Sequence, residues 1–343
     1  MKNSVYFYLS GEHPTLPKAE IKSIMEAETY SFDVIGQAPQ LMRMMASPEA
    51  LQSISDRSSM CKSCGPEILF CDANLKSILN LLKEVDMSRY IMPDENFSVR
   101  ITRVNDLSRN LKTPDIERAV GGFIKNSVKN TKVDLTNPKK QFFGLLTEEK
   151  FLLGLQFFGK LDLKERQPKM RPVFHPSTME PKLARCMVNL ARAEKGKLFL
   201  DPFCGIGGIL IEAGLMGCNI IGCDLNSKMV KGTIQNLKHY NLDHWGMISA
   251  DARKNAFIPI KNIATDPPYG INSSSLGIEL ESLFRDALSS AFDSLIPNGF
   301  ISISSPKGAK LKEYGEETGL KLKETHDLYV HRSLTREILV FKH

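Results

Sequence analysis

The sequence predicts an α/β protein, in which smaller α+β domains precede a mostly parallel sheet with helices on both faces. Short apolar runs alternate with helical patterns in the C-terminal half, as strand–helix–strand units do. A glycine-rich turn, Gly205–Gly208, follows the first of these runs. Four of the runs end at or next to an acid, namely Asp201, Asp224, Asp251 and Asp266.

Length and composition indicate a protein of several domains. A chain of 343 residues is long for one domain, so two or three are expected. Hydrophobic content of 42% and charged content of 24% are typical of globular proteins in water. No apolar run reaches the roughly 18 residues of a membrane helix, and residues 1–10 lack the pattern of a signal peptide. We therefore expect a cytoplasmic protein without a membrane partner.

The first 55 residues are predicted to form a small α+β domain. A strand, Val5–Leu9, precedes a helix over Leu16–Ala27, which the start signals Thr15 and Pro17 open. The region carries four Lys and Arg residues against six acids, and it contains no catalytic constellation.

The cysteines favour packing over metal binding. Seven of them are scattered along the chain, which does not suggest a secreted disulfide framework. Cys61 and Cys64, with Cys71 downstream, invite a zinc or redox interpretation. A structural zinc site needs four nitrogen or sulfur ligands, usually as two pairs, and neither a second Cys-x-x-Cys nor a nearby His is present. We predict buried cysteines at a helix-to-strand junction, and no metal.

Residues 56–157 are predicted to form a second α+β domain. Its run Phe97–Val104 alternates as a half-buried strand does. Thr113 is a candidate N-cap with Pro114 at the first helical position, and the helix is predicted to run to about Asn130. Two adjacent glycines inside this helix each cost about 1 kcal/mol and allow another surface to approach closely.

Positive charge is concentrated between Arg100 and Lys140. This window holds ten Lys and Arg residues against four acids, a local net charge of +6 that equals that of the whole chain. Such a concentration is the electrostatic footprint of nucleic-acid binding. Spacings of seven, four and three residues predict one shared helical face for Arg118, Lys125, Lys129 and Lys132. A merely solvated helix face has the same pattern and stays an alternative.

The second domain resembles a THUMP domain. The stretches that carry the resemblance are Arg103-Val104 with Arg109, Thr113–Glu117, Gly121–Ile124 and Val133–Pro138. THUMP domains bind tRNA at its 3′ acceptor end. The resemblance therefore implies tRNA as the partner and a ferredoxin-like fold for residues 1–55. The candidate RNA contacts here are Arg103, Arg118, Lys125 and Lys129.

Residues 158–178 have the polar, proline-rich composition of a linker. Its basic side chains, Arg171 among them, are candidates for contacts with RNA phosphates. The sequence then runs into a helix that we predict to be capped near Thr178, and the C-terminal domain is predicted to span residues 179–343.

The glycine turn of this domain predicts a nucleotide-type site. The apolar run Leu198–Asp201 leads into the turn, where glycines let the backbone approach a ligand and the next helix directs its N-terminus at it. A second strand, Asn219–Cys223, is followed by Asp224, which lies 23 residues after Asp201 and is placed to bind ribose hydroxyls. With Asp251 and Asp266, these acids fit an adenosine-bearing ligand with a cationic centre.

A nicotinamide dinucleotide is the alternative ligand for such a turn. It requires the spacing Gly-x-Gly-x-x-Gly, whereas this turn reads Gly205-x-Gly207-Gly208. A dinucleotide site also does not require the Asp-Pro-Pro-Tyr sequence that follows the fourth strand.

That corner is Asp266-Pro267-Pro268-Tyr269-Gly270. The prolines supply no N–H and hold φ near −65°, and the residue before each is held extended. The result is a stiff, carbonyl-rich corner between a carboxylate and an aromatic ring, which suits the planar amino group of a base. An ordinary loop after a strand is the alternative.

Both features resemble S-adenosylmethionine-dependent methyltransferases. The turn resembles their motif I, with Asp224 and Asp251 at the later acidic positions. Asp266–Tyr269 resembles the (D/N)PP(Y/F/W) motif of enzymes that methylate exocyclic amines of bases. The resemblance implies S-adenosyl-L-methionine as cofactor, with contacts from Asp201, Phe203, Gly205, Gly207, Asp224, Leu225, Asp251, Ala252, Asp266 and His175.

The whole chain resembles, more narrowly, the archaeal tRNA guanosine-10 N2-methyltransferases. Arg171-Pro172, His175-Pro176, Met179, Pro181–Arg185 and the Asp-Pro-Phe-Cys-Gly turn carry this match. It implies a Rossmann-like methyltransferase domain with a mostly parallel, seven-stranded sheet. It also implies a hairpin loop over His331–Arg336 at the catalytic edge, in which Arg332 is a candidate RNA contact.

We expect the corner to carry the chemistry, with Asp266, Pro267, Pro268 and Tyr269 as its catalytic residues. The Asp266 carboxylate and the Pro267 carbonyl would accept hydrogen bonds from the guanine N2 amine, with Asp266 as general base, and Tyr269 would stack on a flipped base. The alternatives are methylation at another RNA position, a DNA adenine-N6 methyltransferase and a non-catalytic tRNA-binding protein. The THUMP-like stretch argues against DNA. The number of methyl groups and the need for a protein partner stay open.

Overall fold

The computed structural model describes residues 2–105, 111–157, 161–254, 258–268, 280–332 and 334–343. Its strands are β1 Asn3–Leu9, β2 Phe32–Ala38, β3 Leu41–Ala46, β4 Cys61–Asp72, β5 Asn96–Arg103, β6 Lys132–Val133, β7 Lys140–Thr147, β8 Lys150–Leu155, β9 Leu198–Asp201, β10 Asn219–Asp224, β11 Gly246–Ser249, β12 Ile260–Thr265, β13 Leu295–Pro306, β14 Lys321–His331 and β15 Leu334–Lys342. Its α-helices are α1 Leu16–Ala27, α2 Ala50–Arg57, α3 Leu75–Glu84, α4 Thr113–Ser127, α5 Pro181–Leu190, α6 Gly208–Leu215, α7 Ser227–His239, α8 Leu280–Ser294 and α9 Leu311–Glu317.

The chain divides into two compact units, each built on one sheet. The first comprises Met1–Pro14, Thr29–Asp56 and Cys61–Lys160, and the second comprises Thr15–Glu28, Arg57–Met60 and Leu161–His343. This division differs from the predicted domains 1–55, 56–157, 158–178 and 179–343, and those bounds stay a prediction. Within the described residues, no helix is long and apolar enough to cross a membrane.

The first unit contains an eight-stranded sheet in the order β2-β3-β1-β4-β8-β7-β5-β6. Strand β4 joins its two halves, because Cys61–Pro66 pairs with β1 and Glu67–Asp72 pairs with β8, both antiparallel. Burial of large apolar side chains stabilises the sheet by roughly 1.5–3 kcal/mol each. Phe97 of β5 and Phe142 of β7 are fully buried, with their rings edge to face at 5.8 Å.

The cysteines of β4 are free thiols. They follow α2, at the helix-to-strand junction that the sequence predicted, but Cys64 is buried whereas Cys61 and Cys71 are half-buried. Burial raises the pKa of the Cys71 thiol to about 11, so this thiol stays protonated at neutral pH. Over the described parts of the chain, no group of three or more His, Cys, Asp or Glu residues is arranged to hold a metal ion.

Helix α4 is shorter than predicted. It begins at Thr113 with Lys112 as N-cap and ends at Ser127. Lys129 therefore lies in the following turn and Lys132 in β6, so the prediction of one helical face for all four cations is wrong. Val128 explains the early end, because its extended backbone directs its side chain into the hydrophobic core.

The second unit contains a seven-stranded sheet in the order β11-β10-β9-β12-β13-β15-β14. Strands β9 to β13 pair in parallel, and β15 runs antiparallel to both of its neighbours. The predicted mostly parallel sheet is thus confirmed. The chain order reverses between β9 and β12, and in such sheets ligands bind at the carboxyl edge near this switch point.

Helices cover both faces of this sheet, and neighbouring strand residues point to opposite faces. Phe199 lies in the core cluster of α5 and α6, while Leu200 lies in that of α8 and α9. Helix α1 also belongs to this unit, although it precedes β2 in the sequence. Its buried Glu20 accepts hydrogen bonds from Ser58 Oγ at 2.6 Å and Asn189 Nδ2 at 2.9 Å.

Two boundaries in this unit differ from prediction. Helix α5 begins at Pro181 with Glu180 as N-cap, rather than near Thr178. The β14–β15 hairpin is tighter than the predicted loop His331–Arg336, because both strands extend into it. Arg336 is consequently a strand residue.

Candidate active site

The glycine turn between β9 and α6 adopts backbone angles that favour glycine. Gly205 has φ +52° and Gly207 has φ +87°, the left-handed region in which other residues are strained. A Cβ at Gly207 would lie 2.9 Å from Thr233 Cγ2, whereas one at Gly205 would meet nothing within 4 Å. The turn therefore packs against α7 on one side and borders open space on the other.

Side chains of β10 and α7 hold this turn in place. Thr233 Oγ1 donates to the Gly205 carbonyl at 2.7 Å. The Asp224 carboxylate accepts from the Gly205 N–H at 3.0 Å and from the Asn226 N–H at 2.9 Å. Burial raises the pKa of Asp224. Next to it, Leu225 is 46% exposed, which leaves an apolar surface beside the turn.

Asp201 links the ends of β9 and β12. Its Oδ1 accepts hydrogen bonds from Thr265 Oγ1 at 2.7 Å and from the Phe203 N–H at 3.1 Å. The residue is 1% exposed. Burial, with smaller contributions from the charges of Asp266 and Asp224, raises the pKa of its carboxyl to about 7. The structure thus brings three predicted carboxylates together around the turn.

Asp251 has a partner that the sequence analysis missed. Arg253, two residues along, lies with its Nη2 2.6 Å from Asp251 Oδ2 and its Nε 2.9 Å from Oδ1. These hydrogen bonds lower the pKa of Asp251. Ala252 between them is buried. A ligand that uses the Asp251 carboxylate must therefore share it with Arg253 or displace this side chain.

In the corner after β12, one carboxylate oxygen of Asp266 lies near a cation, and the other has no hydrogen-bond partner among the described residues. Asp266 Oδ2 lies 3.5 Å from Nη2 of Arg336. Asp266 Oδ1 is buried and has no hydrogen-bond partner among the described residues. Pro267 is buried and Pro268 half-buried, whereas Tyr269 lies outside the described residues, as Gly270 does. Because buried acceptors are normally paired, Oδ1 is a position that a substrate N–H can fill.

One side chain of α7 joins the linker to the glycine turn, and a linker arginine is buried nearby. Asn236 of α7 accepts from the Val173 N–H at 2.9 Å and donates to the Ile206 carbonyl at 2.9 Å. Arg171 is 5% exposed, and its Nη2 donates to the Arg166 carbonyl at 2.9 Å. Burial lowers the pKa of Arg171. This position corrects the predicted RNA contact for Arg171, because its guanidinium is directed into the protein.

His175 is half-buried on the same segment, and its Nδ1 lies 2.7 Å from Ser177 Oγ. This contact orients the ring locally, and the predicted cofactor contact of His175 stays a prediction.

The candidate RNA contacts occupy several environments. Arg118 and Lys125 are exposed on α4, where Arg118 also pairs with Asp115 at 3.1 Å. Arg103 is half-buried and donates to the Leu111 carbonyl. Lys129 and Arg332 are exposed in turns, and Arg109 lies outside the described residues. A Cβ at Gly122 would meet nothing within 4 Å, so α4 has room for a ligand there.

Residues 72–156 match the family model of the THUMP domain, and residues 168–338 match that of an RMKL-like methyltransferase domain. Together with the fold, these matches define the class of the protein, a THUMP-containing methyltransferase. TrmN from Thermus thermophilus has a similar fold, with a TM-score of 0.56 over 99% of each chain at 19% identity.

The particular family follows from two relatives. A tRNA (guanine(10)-N2)-dimethyltransferase of Methanothermobacter thermautotrophicus is 36% identical over 97% of this chain and 98% of its own. The enzyme of the same name from Methanocaldococcus jannaschii is 31% identical over 98% of this chain and 99% of its own. The chain belongs to the tRNA (guanine(10)-N2)-dimethyltransferase family, which confirms the resemblance, and it is an enzyme.

Proposed function

We propose that this enzyme transfers methyl groups from S-adenosyl-L-methionine to the N2 amine of guanosine 10 in tRNA, and that it forms N2,N2-dimethylguanosine. The observation that carries the proposal is Asp266 Oδ1, a buried acceptor without a donor among the described residues. It lies at the carboxyl edge of the sheet, at the switch point beside the glycine turn. The names of the relatives supply the position in tRNA and the number of methyl groups.

The residues present fit the proposed cofactor. Asp201, Asp224 and Asp266 place three interacting carboxylates around the turn, and a cationic ligand would offset their mutual repulsion. Gly205 borders open space, so a ligand can approach its backbone. When bound, S-adenosyl-L-methionine supplies an electrophilic methyl group on a cationic sulfur. We assign its ribose to Asp224 and its adenine to Leu225, Asp251 and Ala252.

Asp266 and Pro267 prepare the amine for attack. The lone pair of guanine N2 is delocalised into the ring, so the free amine is a poor nucleophile. Hydrogen bonds from its two N–H groups to Asp266 Oδ1 and the Pro267 carbonyl would hold it pyramidal and aligned. Positioning contributes the larger share of the rate, and proton acceptance by Asp266 contributes about 10² to 10⁴-fold.

The same acceptor serves both methylations. A monomethylated amine keeps one N–H, which can still donate to Asp266 Oδ1 while its methyl group replaces the second N–H. Each transfer leaves one surplus proton on the nitrogen, and Asp266 passes it on to water. We assign stacking on the flipped base to Tyr269.

Nucleoside mass spectrometry with position mapping tests this proposal. A tRNA transcript with guanosine 10 should yield N2,N2-dimethylguanosine at that position. A matched transcript with inosine 10 lacks only the exocyclic amine, so it should gain no methyl group. Methylation of the inosine transcript, or of adenine in a DNA duplex, would contradict the proposal.

The positively charged stretch between Arg100 and Lys140 is proposed to bind the tRNA. Lys125→Glu/Lys129→Glu should weaken tRNA affinity roughly tenfold or more. It should also reduce the slope of log affinity against log salt by about 2, because two phosphate contacts are lost. Binding measured by fluorescence anisotropy between 50 and 200 mM salt would show both effects.

The matched control is Lys76→Glu/Lys83→Glu, which makes the same charge change on two exposed lysines of α3. An equal loss of affinity in this control would indicate a general charge effect and remove the assignment to α4 and its following turn.

A further inference from the structure

We infer that Arg336 is a positioning residue for the methylation: it holds Asp266 Oδ2 and thereby directs Asp266 Oδ1 at the substrate amine. This inference rests on the proposed function and adds a residue to its mechanism. Arg336 belongs to the segment that the sequence predicted as a loop, and it lies instead in strand β15.

Sheet topology brings Arg336 to the site. Strand β15 runs antiparallel to β13, with Arg336 opposite Pro306. Strand β12 runs parallel to β13, with Thr265 opposite Ile303. The first residues of β15 therefore lie at the same edge of the sheet as the residues that follow β12. An arginine 70 positions further along the chain thus lies beside Asp266.

The two oxygens of the Asp266 carboxylate have different surroundings. Arg336 Nη2 lies 3.5 Å from Asp266 Oδ2, and each side chain is 16% exposed. Asp266 Oδ1 points elsewhere and is buried without a partner among the described residues. The attraction between the guanidinium and Oδ2 favours one orientation of the carboxylate. This preference keeps the other oxygen in one place for the incoming N–H.

Arg336 also balances the charge of the site. Asp201 at the end of β9 and Asp224 at the end of β10 add negative charge to that of Asp266. At partly buried positions such repulsion is weakly screened. A guanidinium at the corner offsets it, so the carboxylate can remain at the edge of the sheet. Without Arg336, the carboxylate would turn towards solvent and leave the amine without its acceptor.

The test compares kcat and KM of Arg336→Gln and Arg336→Lys with those of wild type on guanosine-10 tRNA. Arg336→Gln should lower kcat roughly 10- to 100-fold, because a small misplacement of a reacting group is costly, while KM for tRNA and cofactor change less than about threefold. Arg336→Lys keeps the positive charge and should recover part of this loss. The control, Arg285→Gln, removes an exposed arginine of α8 that pairs with Glu281 and Glu317 and should keep wild-type kcat.

A double variant separates positioning from a structural role. If Arg336 acts through Asp266, adding Arg336→Gln to Asp266→Asn should lower kcat no further, whereas independent effects would multiply. Multiplicative effects, an unchanged kcat, or a rise confined to the KM for tRNA would overturn the inference. If Arg336→Gln does not show the wild-type melting transition, Arg336→Lys replaces it in the comparison of single and double variants. The inference then requires, as before, that the double variant has the kcat of Asp266→Asn alone.

The outcomes for the two proposals differ. Wild-type protein that leaves guanosine 10 unmethylated would overturn the proposed function and this inference together. Wild-type methylation with an unchanged kcat in Arg336→Gln would overturn the inference alone.

Discussion

Asp266→Asn should lower kcat for tRNA methylation by about 10² to 10⁴-fold, while tRNA and cofactor still bind. Asparagine keeps the size of the side chain and one acceptor oxygen, but it cannot take a proton from the amine. It can also present its NH₂ group, a donor, to a substrate N–H. Single-turnover rates at saturating tRNA and cofactor would measure the chemical step without product release.

The control for this substitution is Asp293→Asn on α8, where the aspartate is exposed. It should keep the wild-type rate. A rate within threefold of wild type for Asp266→Asn, with tRNA binding intact, would remove Asp266 from proton acceptance and leave positioning as its only role.

The parts of the site that follow from local sequence were predictable. Helix α1 spans the predicted residues, Leu16–Ala27, since Pro17 and the apolar periodicity are local signals. The acids at or just after strand ends, Asp201, Asp224 and Asp266, were predicted because apolar runs stop there, and parallel strands bring their carboxyl ends to one edge. Once the strand order is known, it follows that these acids lie close together.

Residues placed by tertiary packing were not predictable. Arg336 reaches Asp266 only through the register of an antiparallel strand, which no local pattern specifies. Arg171 has the composition of a solvated linker cation, yet its guanidinium is buried against a backbone carbonyl. Lys129 follows the helical spacing, but burial of Val128 ends the helix first. In each case packing within the folded domain outweighs the local preference.

Function at this site has a cost in stability, which Asp201 illustrates. Burial raises the pKa of its carboxyl from the ordinary value of 3.8 to about 7. Between these values the unfolded chain has released the proton that the folded chain still holds, so the free energy of unfolding falls as the pH rises. Above pH 7 the full penalty applies, about 4 kcal/mol for a pKa difference of this size.

Asp201→Asn should therefore make the protein more stable at pH 8, by roughly 1 to 4 kcal/mol. The asparagine oxygen can still accept from Thr265 Oγ1 and the Phe203 N–H, and no buried charge remains. The gain should shrink steadily from pH 7 to pH 4 and vanish well below pH 3.8, where aspartate is protonated in both states. Urea unfolding of both proteins at pH 4, 5.5 and 8 would measure it.

The same substitution should weaken cofactor binding at pH 8, because it removes one of the three negative charges around the turn, where the cationic cofactor is proposed to bind. Calorimetric titration should show a smaller preference for S-adenosylmethionine over its uncharged-sulfur product. Asp243→Asn, a change at an exposed aspartate, is the control and should show neither effect. A stability difference that stays constant from pH 4 to pH 8 would mean that Asp201 is held by its hydrogen bonds alone and is ionised in the folded protein throughout this range.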